Sequence, residues 1–416
     1  MDIRSSVVTA ALLAIPVIAA CSGDGAASDD AASESLGTAE QEIKREVEPF
    51  TFGHSAAVVR GANLFMKPFP ATNGNGRACA TCHVPELGFG LTPEHVEARW
   101  KALQAAKKKN RNADDPLFRA IDADEIGGNT YNLLRQWGLV RVEIDLAPNV
   151  HPLDDPSARK VSLFRGVTSV FNVAITAPYQ QDGRFADLQQ QALGALTGHA
   201  QITRQPQQRQ LDDVAEFQKL LFPNRHSFEV AKAVQRGQAP PAEPNVTGKA
   251  AEGKAIFQRQ CALCHMGPAL NETPLPPDAF PGDIFVSRPL PPFAIESEFP
   301  APPPLPVRMW VVELPDGTEM VRPSTDPGKV LTTGNPLDFN VFDIPQLRGL
   351  KYTAPYFHDN SAKTLRDTLV HYQGLFAGLA RAGLLQGGSG PSCVAPACAG
   401  LVESEFDPLI AYMNTL

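Results

Sequence analysis

The sequence predicts a duplicated fold of two similar units, and three observations lead to this prediction. The chain has 416 residues, a length that suits two or three domains. A C-x-x-C-H motif occurs at residues 79–83 and again at residues 261–265. A segment in which a glycine is followed four residues later by a phenylalanine precedes each motif, at residues 60–65 and 252–257. A motif that recurs behind a similar segment indicates an internal repeat.

The N-terminus predicts export and a lipid anchor. Residues 1–20 combine Arg4 with the apolar stretch 7–20, which is typical of a signal peptide and short for a membrane span. Residues 18–21 resemble a bacterial lipobox, which predicts cleavage before Cys21 and lipidation of its thiol; ordinary cleavage nearby is the alternative. Residues 21–45 then form a flexible acidic tether. These features predict a periplasmic protein anchored by lipid to the outer membrane.

The C-x-x-C-H spacing predicts two covalently bound haem c groups. Two thiols one turn apart can each form a thioether with a haem vinyl group, and the adjacent histidine can bind the iron. A redox dithiol or half of a zinc site are the alternatives for a single motif. A zinc site would have to join both halves of the chain and would leave both histidines unexplained. The predicted attachment residues are Cys79, Cys82, Cys261 and Cys264, and the predicted axial ligands are His83 and His265.

The spacing within the two repeats differs. Gly61 lies 18 residues before Cys79, whereas Gly253 lies 8 residues before Cys261. The ten additional residues are rich in proline, asparagine and glycine, which predicts a loop. Residues 236–248 contain three prolines and are the predicted linker. The predicted domains are therefore 46–240 and 245–416.

A proline-rich insertion at residues 272–325 interrupts the second domain. Twelve of the 38 prolines fall between residues 274 and 306, so this stretch cannot be helical. Residues 307–314 and 319–322 flank an Asp316-Gly317 turn, which predicts a small β-hairpin. In the first domain, Thr92 followed by Pro93 predicts the start of a helix over residues 93–110.

Composition excludes some functions and accounts for the cysteines. The chain has 37 basic and 45 acidic residues, a net charge of −8, which argues against a nucleic-acid-binding protein. The cysteine count is 7, of which one is assigned to the lipid and four to the haems. The remaining two, Cys393 and Cys398, are predicted to form a disulfide in the oxidising periplasm.

Three motifs in the C-terminal half carry a family resemblance. They are Asp326-Pro327-Gly328, Pro345-Gln346-Leu347-Arg348 and the loop 355–360, which reads P-Y-F-H-D-N. In the first half, residues 182–184 read D-G-R and precede residues 188–191. In this order they resemble the bacterial di-haem cytochrome c peroxidase and MauG superfamily. The resemblance implies a mainly α protein with two cytochrome c-like haem domains around an interdomain cleft.

The resemblance also implies roles for individual residues. Gln191 matches a residue beside the peroxide-reacting haem, and a family glutamate position falls on Gln201, which cannot titrate. His199 lies two residues earlier and could replace it as acid–base group. Tyr372 stands where the peroxidase branch has a methionine ligand, as in the MauG branch. The alternatives are that His371 is the ligand, or that Tyr372 packs facing away from the haem.

Two further positions depart from the family. Gln181 stands where relatives have a tryptophan between the haems, so Tyr179 or direct transfer between haems would have to carry electrons. An interhaem calcium site would use backbone oxygens of Thr353 and Pro355, but its asparagine position falls on Gly166. His358 is expected to be a structural loop histidine rather than a catalytic one.

Three functions are compatible with the sequence. The first is an enzyme that reduces hydrogen peroxide at the first haem, with electrons relayed through the second haem from a small periplasmic electron-transfer protein. The second is a MauG-like enzyme that oxidises an aromatic residue of a partner protein. The third is a di-haem electron-transfer protein without enzymatic activity.

Overall fold

The computed structural model describes residues 55–273, 303–381 and 400–416, all within one compact unit that runs from Glu40 to Leu416. The predicted signal peptide, Cys21 and the whole tether lie outside the described residues. So do residues 274–302 of the proline-rich insertion and the pair Cys393 and Cys398. Lipidation and the disulfide therefore stay predictions.

The described residues are mainly helical and include short antiparallel sheets, as expected. The helices are α1 (Ala56–Met66), α2 (Pro93–Lys109), α3 (Asn132–Trp137), α4 (Leu188–Gly198), α5 (Gln208–Gln218), α6 (Arg225–Gln235), α7 (Lys249–Gln260), α8 (Val330–Thr333), α9 (Leu365–Arg381) and α10 (Phe406–Met413). The strands are β1 (Leu139–Asp145), β2 (Val150–Pro152), β3 (Lys160–Gly166), β4 (Arg308–Glu313) and β5 (Glu319–Ser324). None of the helices within this described part is long and apolar enough to cross a membrane.

Two helix pairs repeat the same close crossing, α1 with α5 and α7 with α10. At the first crossing, a Cβ added to Gly61 would stand 2.6 Å from the carbonyl carbon of Asp213. At the second, a Cβ added to Gly253 would stand 2.5 Å from that of Pro408. Glycine is required at both positions because the partner backbone occupies the space of a side chain.

An aromatic pair accompanies each crossing. The rings of Phe65 and Phe217 lie 5.3 Å apart at 59°, and those of Phe257 and Tyr412 lie 5.3 Å apart at 62°. Each phenylalanine lies one helical turn after the glycine of its crossing, on the same face. The two segments noted in the sequence thus pack in the same way in both halves.

A second repeat lies later in each half and was not identified from the sequence. Residues 176–179 and 353–356 both read T-A-P-Y, each with a cis peptide bond before the proline. A short 3-10 helix precedes each loop, at Val173–Ile175 and Leu350–Tyr352. A long helix, α4 or α9, begins ten residues after each proline. These two segments therefore align residue by residue with a constant offset of 177.

The strands form two small sheets. β1 pairs antiparallel with β3, and β2 pairs antiparallel with β4, which pairs with β5. The β4–β5 hairpin confirms the prediction for residues 307–322, and Gly317 takes the positive φ of +81° that its turn requires. Its Trp310 is fully buried in a core with Val312 and Ile144. The pairing with β2, about 160 residues earlier in the chain, was not predicted.

Local helix signals are also confirmed. The Thr92 hydroxyl accepts a hydrogen bond from the backbone N–H of His95, and Pro93 is the first residue of α2. The loop predicted before the first C-x-x-C-H motif is present, because α1 ends at Met66. The predicted linker, residues 236–248, lies between α6 and α7. The assignment of two haem domains on either side of it stays a prediction.

Candidate haem-binding sites

Both C-x-x-C-H motifs have the same backbone geometry. The N–H of His83 donates to Cys79 O (2.9 Å), and the N–H of His265 donates to Cys261 O (3.0 Å). One turn of chain thus brings the two thiols of each motif to the same side. The four cysteines are free thiols. We refer to the surroundings of residues 79–83 as the first site and those of residues 261–265 as the second site.

Each motif histidine is oriented in the same way. His83 Nδ1 lies 3.0 Å from Phe89 O, and His265 Nδ1 lies 2.9 Å from Leu270 O. A carbonyl oxygen only accepts hydrogen bonds, so Nδ1 carries the proton in both rings. Nε2 is then left with its lone pair, the form in which an imidazole binds iron. Both histidines therefore fit the role of axial ligand.

The surroundings of the cysteines suit an apolar cofactor. Burial raises the pKa of Cys79 and of Cys261 to about 12 each, because a charged thiolate is disfavoured in apolar surroundings. Within the described ranges, no group of three or more His, Cys, Asp or Glu side chains could hold a metal ion. The first site is walled by aromatic and aliphatic side chains, namely Phe65, Phe89, Val170, Phe171, Val173 and Leu188. The donor set and walls fit haem c better than zinc.

The aligned helices α4 and α9 carry different residues at matching positions. On α4 the row Gln191, Ala195 and His199 has a spacing of four residues, and His199 is its C-cap. The offset of 177 places Thr368, Tyr372 and Phe376 at the same positions on α9. We call these the α4 row and the α9 row. Residues spaced by four lie on one helical face.

The α9 row lies beside the second site. Tyr372 belongs to the hydrophobic cluster that includes Cys261 and Ala262. Burial raises the pKa of Tyr372, and the neighbouring titratable groups Cys261 and Cys264 act on it in the same direction. The neighbouring residue His371 has a different environment. Burial lowers the pKa of His371 to about 4, and the titratable groups that act on it are Asp359 and His358. Of the two predicted ligands, Tyr372 is the one beside the cysteines that are predicted to attach the second haem.

The α4 row lies beside the first site, where its histidine is half-buried. Burial lowers the pKa of His199 to about 4; Asp122 opposes this shift, while Arg77, His83 and Arg184 reinforce it. The imidazole is thus neutral at neutral pH and lies within electrostatic range of His83. The corresponding residue at the second site is the apolar Phe376, whose ring centroid is 6.2 Å from that of Tyr372.

Gln201 does not join this row. Its backbone has a positive φ of +50°, its side chain is exposed, and its Oε1 accepts a hydrogen bond from Asn75 Nδ2 (3.0 Å). It lines a surface pocket of about 480 Å3 together with Arg141 and Glu143. The structure therefore brings Gln191 and His199 to one face of the helix and turns Gln201 outward.

The two T-A-P-Y loops meet at Gly166. Gln181 Nε2 donates to Gly166 O (3.3 Å), and the N–H of Gly166 donates to His358 O (2.6 Å). Gln181 and His358 occupy matching positions in the aligned loops. The His358 ring stacks on Phe342, with 4.0 Å between centroids. Sequence reasoning treated these residues separately; the repeated T-A-P-Y was the signal that relates them.

A buried ion-pair network lies next to this junction. The Arg165 guanidinium contacts Asp326 with two hydrogen bonds (2.7 and 3.0 Å) and Asp182 with one (2.7 Å). Arg184 also pairs with Asp182. The D-P-G and D-G-R motifs, which are far apart in the chain, are therefore joined by Arg165.

Gly166, where the expected calcium site would need an asparagine, is packed against the side chain of Asn360. A Cβ at this position would stand 2.7 Å from Asn360 Cγ, so the Asn360 side chain occupies the space of a residue-166 side chain. Asn360 is buried, and its Nδ2 donates to Trp137 O (2.7 Å). Thr353 Oγ1 donates to Leu350 O (3.2 Å). Calcium binding through Thr353 and Pro355 stays a prediction.

Comparison with known proteins agrees with this geometry. A family model described as di-haem cytochrome c peroxidase (CCP_MauG) matches residues 55–236. This part of the chain, which contains the first C-x-x-C-H motif, is similar to the di-haem cytochrome c peroxidase and MauG superfamily. The resemblance stated from the motifs is therefore confirmed. The description of this family model names a di-haem protein, which agrees with the presence of two C-x-x-C-H motifs in the chain.

Individual relatives match over short segments. The cytochrome-c peroxidase IdrP2 of Denitromonas iodatirespirans is 36% identical over 92 residues, which are 22% of this chain and 21% of that protein. The cytochrome c551 peroxidase of Nitrosomonas europaea is 48% identical over 42 residues, 10% of this chain and 13% of that protein. A solved structure of a MauG-like protein associated with microbial copper homeostasis covers 89% of this chain and 91% of its own, with 16% identity and a TM-score of 0.42.

Proposed function

We propose that the protein reduces hydrogen peroxide at the first site and relays electrons through the second. One observation carries this assignment. Tyr372 lies beside the attachment cysteines of the second site, whereas the matching residue at the first site is Ala195. A phenol can act as sixth ligand or shield the iron, while a methyl group leaves room for a small molecule. The site that reacts with peroxide needs that room.

The residues of the α4 row have distinct roles in this proposal. Haem c, when bound, supplies an iron centre that exchanges electrons with peroxide. The Gln191 amide donates a hydrogen bond that orients the peroxide. Neutral His199 takes a proton from one peroxide oxygen and returns it to the other. The proton that His199 moves belongs to the peroxide itself, so reduction of one peroxide to two waters takes up two electrons from the donor protein and two further protons from solvent.

The donor and the location belong to the same proposal. The predicted signal peptide and the lipobox at Cys21 support action in the periplasm, with a lipid anchor in the outer membrane. A small periplasmic electron-transfer protein would then supply the electrons. The contacts of Gln181 and His358 at Gly166 support a transfer path through this junction, which has no tryptophan at position 181.

The test is to fill the first site by placing at position 195 the tyrosine that the second site has at the matching position, 372. In Ala195→Tyr we expect the peroxide response of the holoprotein to slow about 100-fold or more, the scale of losing a placed acid–base group. The high-spin ferric signal in electron paramagnetic resonance should also decrease. Gln190→Tyr adds the same side chain at an exposed position of α4 and is the matched control. A peroxide response that survives Ala195→Tyr would refute the assignment of the first site.

MauG-like oxidation of a partner protein is the second candidate. The position of Tyr372 favours it, because phenolate ligation stabilises ferric and higher oxidation states better than a thioether does. Incubation of the holoprotein with peroxide and a reduced cytochrome separates the two candidates. Sustained oxidation of the cytochrome supports the peroxidase, whereas a single turnover followed by a long-lived oxidised state supports the MauG-like enzyme. If both haems are low-spin and do not respond to peroxide, both enzymatic functions are refuted and only the function of an electron-transfer protein is left.

A further inference from the structure

The ten additional residues of the first half contact the segment that follows α4. We call residues 67–76 the insertion loop and residues 199–201 the distal segment. The N–H of Asn75 donates to Ala200 O (2.8 Å), and the N–H groups of Thr203 and Arg204 donate to Thr72 O (3.0 and 3.2 Å). Backbone hydrogen bonds therefore run in both directions between the loop and the chain around the distal segment.

All the polar groups of Asn75 form hydrogen bonds. Its Nδ2 donates to His199 O (2.9 Å) and to Gln201 Oε1 (3.0 Å). Its Oδ1 accepts from the N–H of Arg77 (3.2 Å), and its carbonyl accepts from Arg119 Nε (2.7 Å). One side chain thus holds both ends of the distal segment.

Arg77 connects the same segment to the first C-x-x-C-H motif. It lies two residues before Cys79, is buried, and forms an ion pair with buried Asp122. Its Nη1 donates to His199 O (3.3 Å). The remaining guanidinium donors go to the carbonyls of Pro116 and Leu117. The His199 carbonyl therefore accepts from both Asn75 and Arg77.

Close packing reinforces these hydrogen bonds. A Cβ added to Gly74 would stand 2.7 Å from Ala200 O, so the loop backbone lies directly against the distal segment. Gln201 is held at a φ of +50°, a conformation that non-glycine residues rarely adopt without support. The second half lacks a counterpart of the ten-residue insertion loop. At the position that matches His199 it has Phe376 and not a histidine.

From these contacts we infer that the insertion loop is a clasp in which Asn75 and Arg77 are positioning residues. It holds the backbone of His199 so that its imidazole stays on the α4 row, and it keeps the Gln201 side chain turned to the surface. This inference goes beyond the proposed function. It rests on that proposal only for the chemical role of His199, since the contacts themselves do not depend on peroxide.

Asn75→Asp tests the clasp in the holoprotein. It keeps the acceptor for Arg77 and removes both Nδ2 donors. Asn73→Asp makes the same charge change two residues away, at an exposed position whose φ of +50° aspartate tolerates, and is the matched control. We expect amide hydrogen exchange in residues 199–206 to accelerate up to about tenfold in Asn75→Asp and to stay unchanged in Asn73→Asp.

A second readout separates positioning from stability. If His199 moves by about 1 Å, the peroxide response should slow by up to about 100-fold while the thermal transition stays close to that of the wild type. Unchanged exchange in Asn75→Asp would overturn the clasp, even if peroxide reactivity is present. A wild-type protein that does not respond to peroxide would overturn the proposed function and leave the exchange result as the test of the clasp.

A further variant covers the case in which Asn75→Asp does not fold. Gln201→Asn shortens the side chain, which breaks the bond to Asn75 Nδ2, and asparagine tolerates the positive φ. We then expect faster exchange in residues 199–206, by a smaller factor than for Asn75→Asp. Exchange equal to that of the wild type in this variant would overturn the clasp as well.

Discussion

Replacement of Arg165 by methionine should destabilise the protein more than any exposed arginine variant. The Arg165 side chain is 3% exposed, and its partners Asp326 and Asp182 are 1% and 0% exposed. Burial alone would raise the pKa of Asp326, but the Arg165 guanidinium outweighs it and holds this pKa below its ordinary value. Without Arg165, the Asp326 carboxylate is a buried charge without its counter-ion.

The size of the effect follows from these contacts. Removal of one partner from a buried ion pair costs about 3–5 kcal/mol of stability. We expect the lower end, about 3 kcal/mol, because Arg184 still pairs with Asp182 through bonds of 2.7 and 2.8 Å. The entropy of unfolding is about 2.1 cal/mol/K per residue, so in a protein of this size 1 kcal/mol shifts the melting temperature by only about 1 °C. Arg165→Met should therefore lower the melting temperature by roughly 3–4 °C.

Arg366→Met is the matched control. Arg366 also pairs with two carboxylates, Glu403 and Asp407, but it is 47% exposed and its partners are 76% and 69% exposed. Exposed pairs contribute about 0–1 kcal/mol. Melting of both holoprotein variants is followed by circular dichroism at neutral pH. Equal shifts in the two variants would refute the argument that burial of the network determines its contribution.

The pH dependence of the Arg165→Met effect gives a second check. In the wild type, the lowered pKa of Asp326 contributes stability that is present above the unfolded value of about 3.9 and is lost as the pH falls through the folded value. In the variant, the unpaired carboxylate has a raised pKa, so protonation on acidification relieves its cost. The difference in melting temperature should therefore be largest near pH 7 and narrow towards pH 4.

Two further predictions concern a helix crossing and a buried acid. Gly253→Ala should destabilise the protein by about 1–3 kcal/mol, because the added Cβ meets the Pro408 backbone. Gly198→Ala is the control and should be neutral or stabilising, because a Cβ at position 198 meets nothing within 4 Å. Equal melting temperatures for the two variants would contradict the close packing of the helices at Gly253. Burial raises the pKa of Asp343 to about 6, so its folded form holds a proton that the unfolded form loses near pH 4. Stability from this group should fall as the pH rises from about 4 to about 6. Asp343→Asn should abolish the decrease in melting temperature that this group causes between about pH 4 and about pH 6. An unchanged dependence of the melting temperature on pH would contradict the assignment of this decrease to Asp343.

The local features of this protein could be predicted because their causes lie within a few residues. The C-x-x-C-H spacing places two thiols and an imidazole on one turn of chain. Thr92 with Pro93 begins α2, and Asp316-Gly317 turns the β4–β5 hairpin. Each rests on hydrogen bonds between near neighbours, which the order of the residues alone specifies.

The arrangement of the site could not be predicted in the same way. Gln201 matched a catalytic position by counting, yet a hydrogen bond to Asn75, which precedes it by 126 residues, turns it outward. The difference between Ala195 and Tyr372 acquires meaning only when α4 and α9 are seen to be equivalent helices. The T-A-P-Y repeat would have indicated this equivalence from the sequence.

The sequence by itself determined the resemblance to a family, the two C-x-x-C-H motifs and the local turns and caps. Only the tertiary structure decided which residues share a site. Arg165 joins Asp326 across 161 residues, and Gly166 brings Gln181 and His358 together. The physical reason is that such contacts depend on how distant segments pack, and packing has no periodic or short-range pattern that a sequence displays.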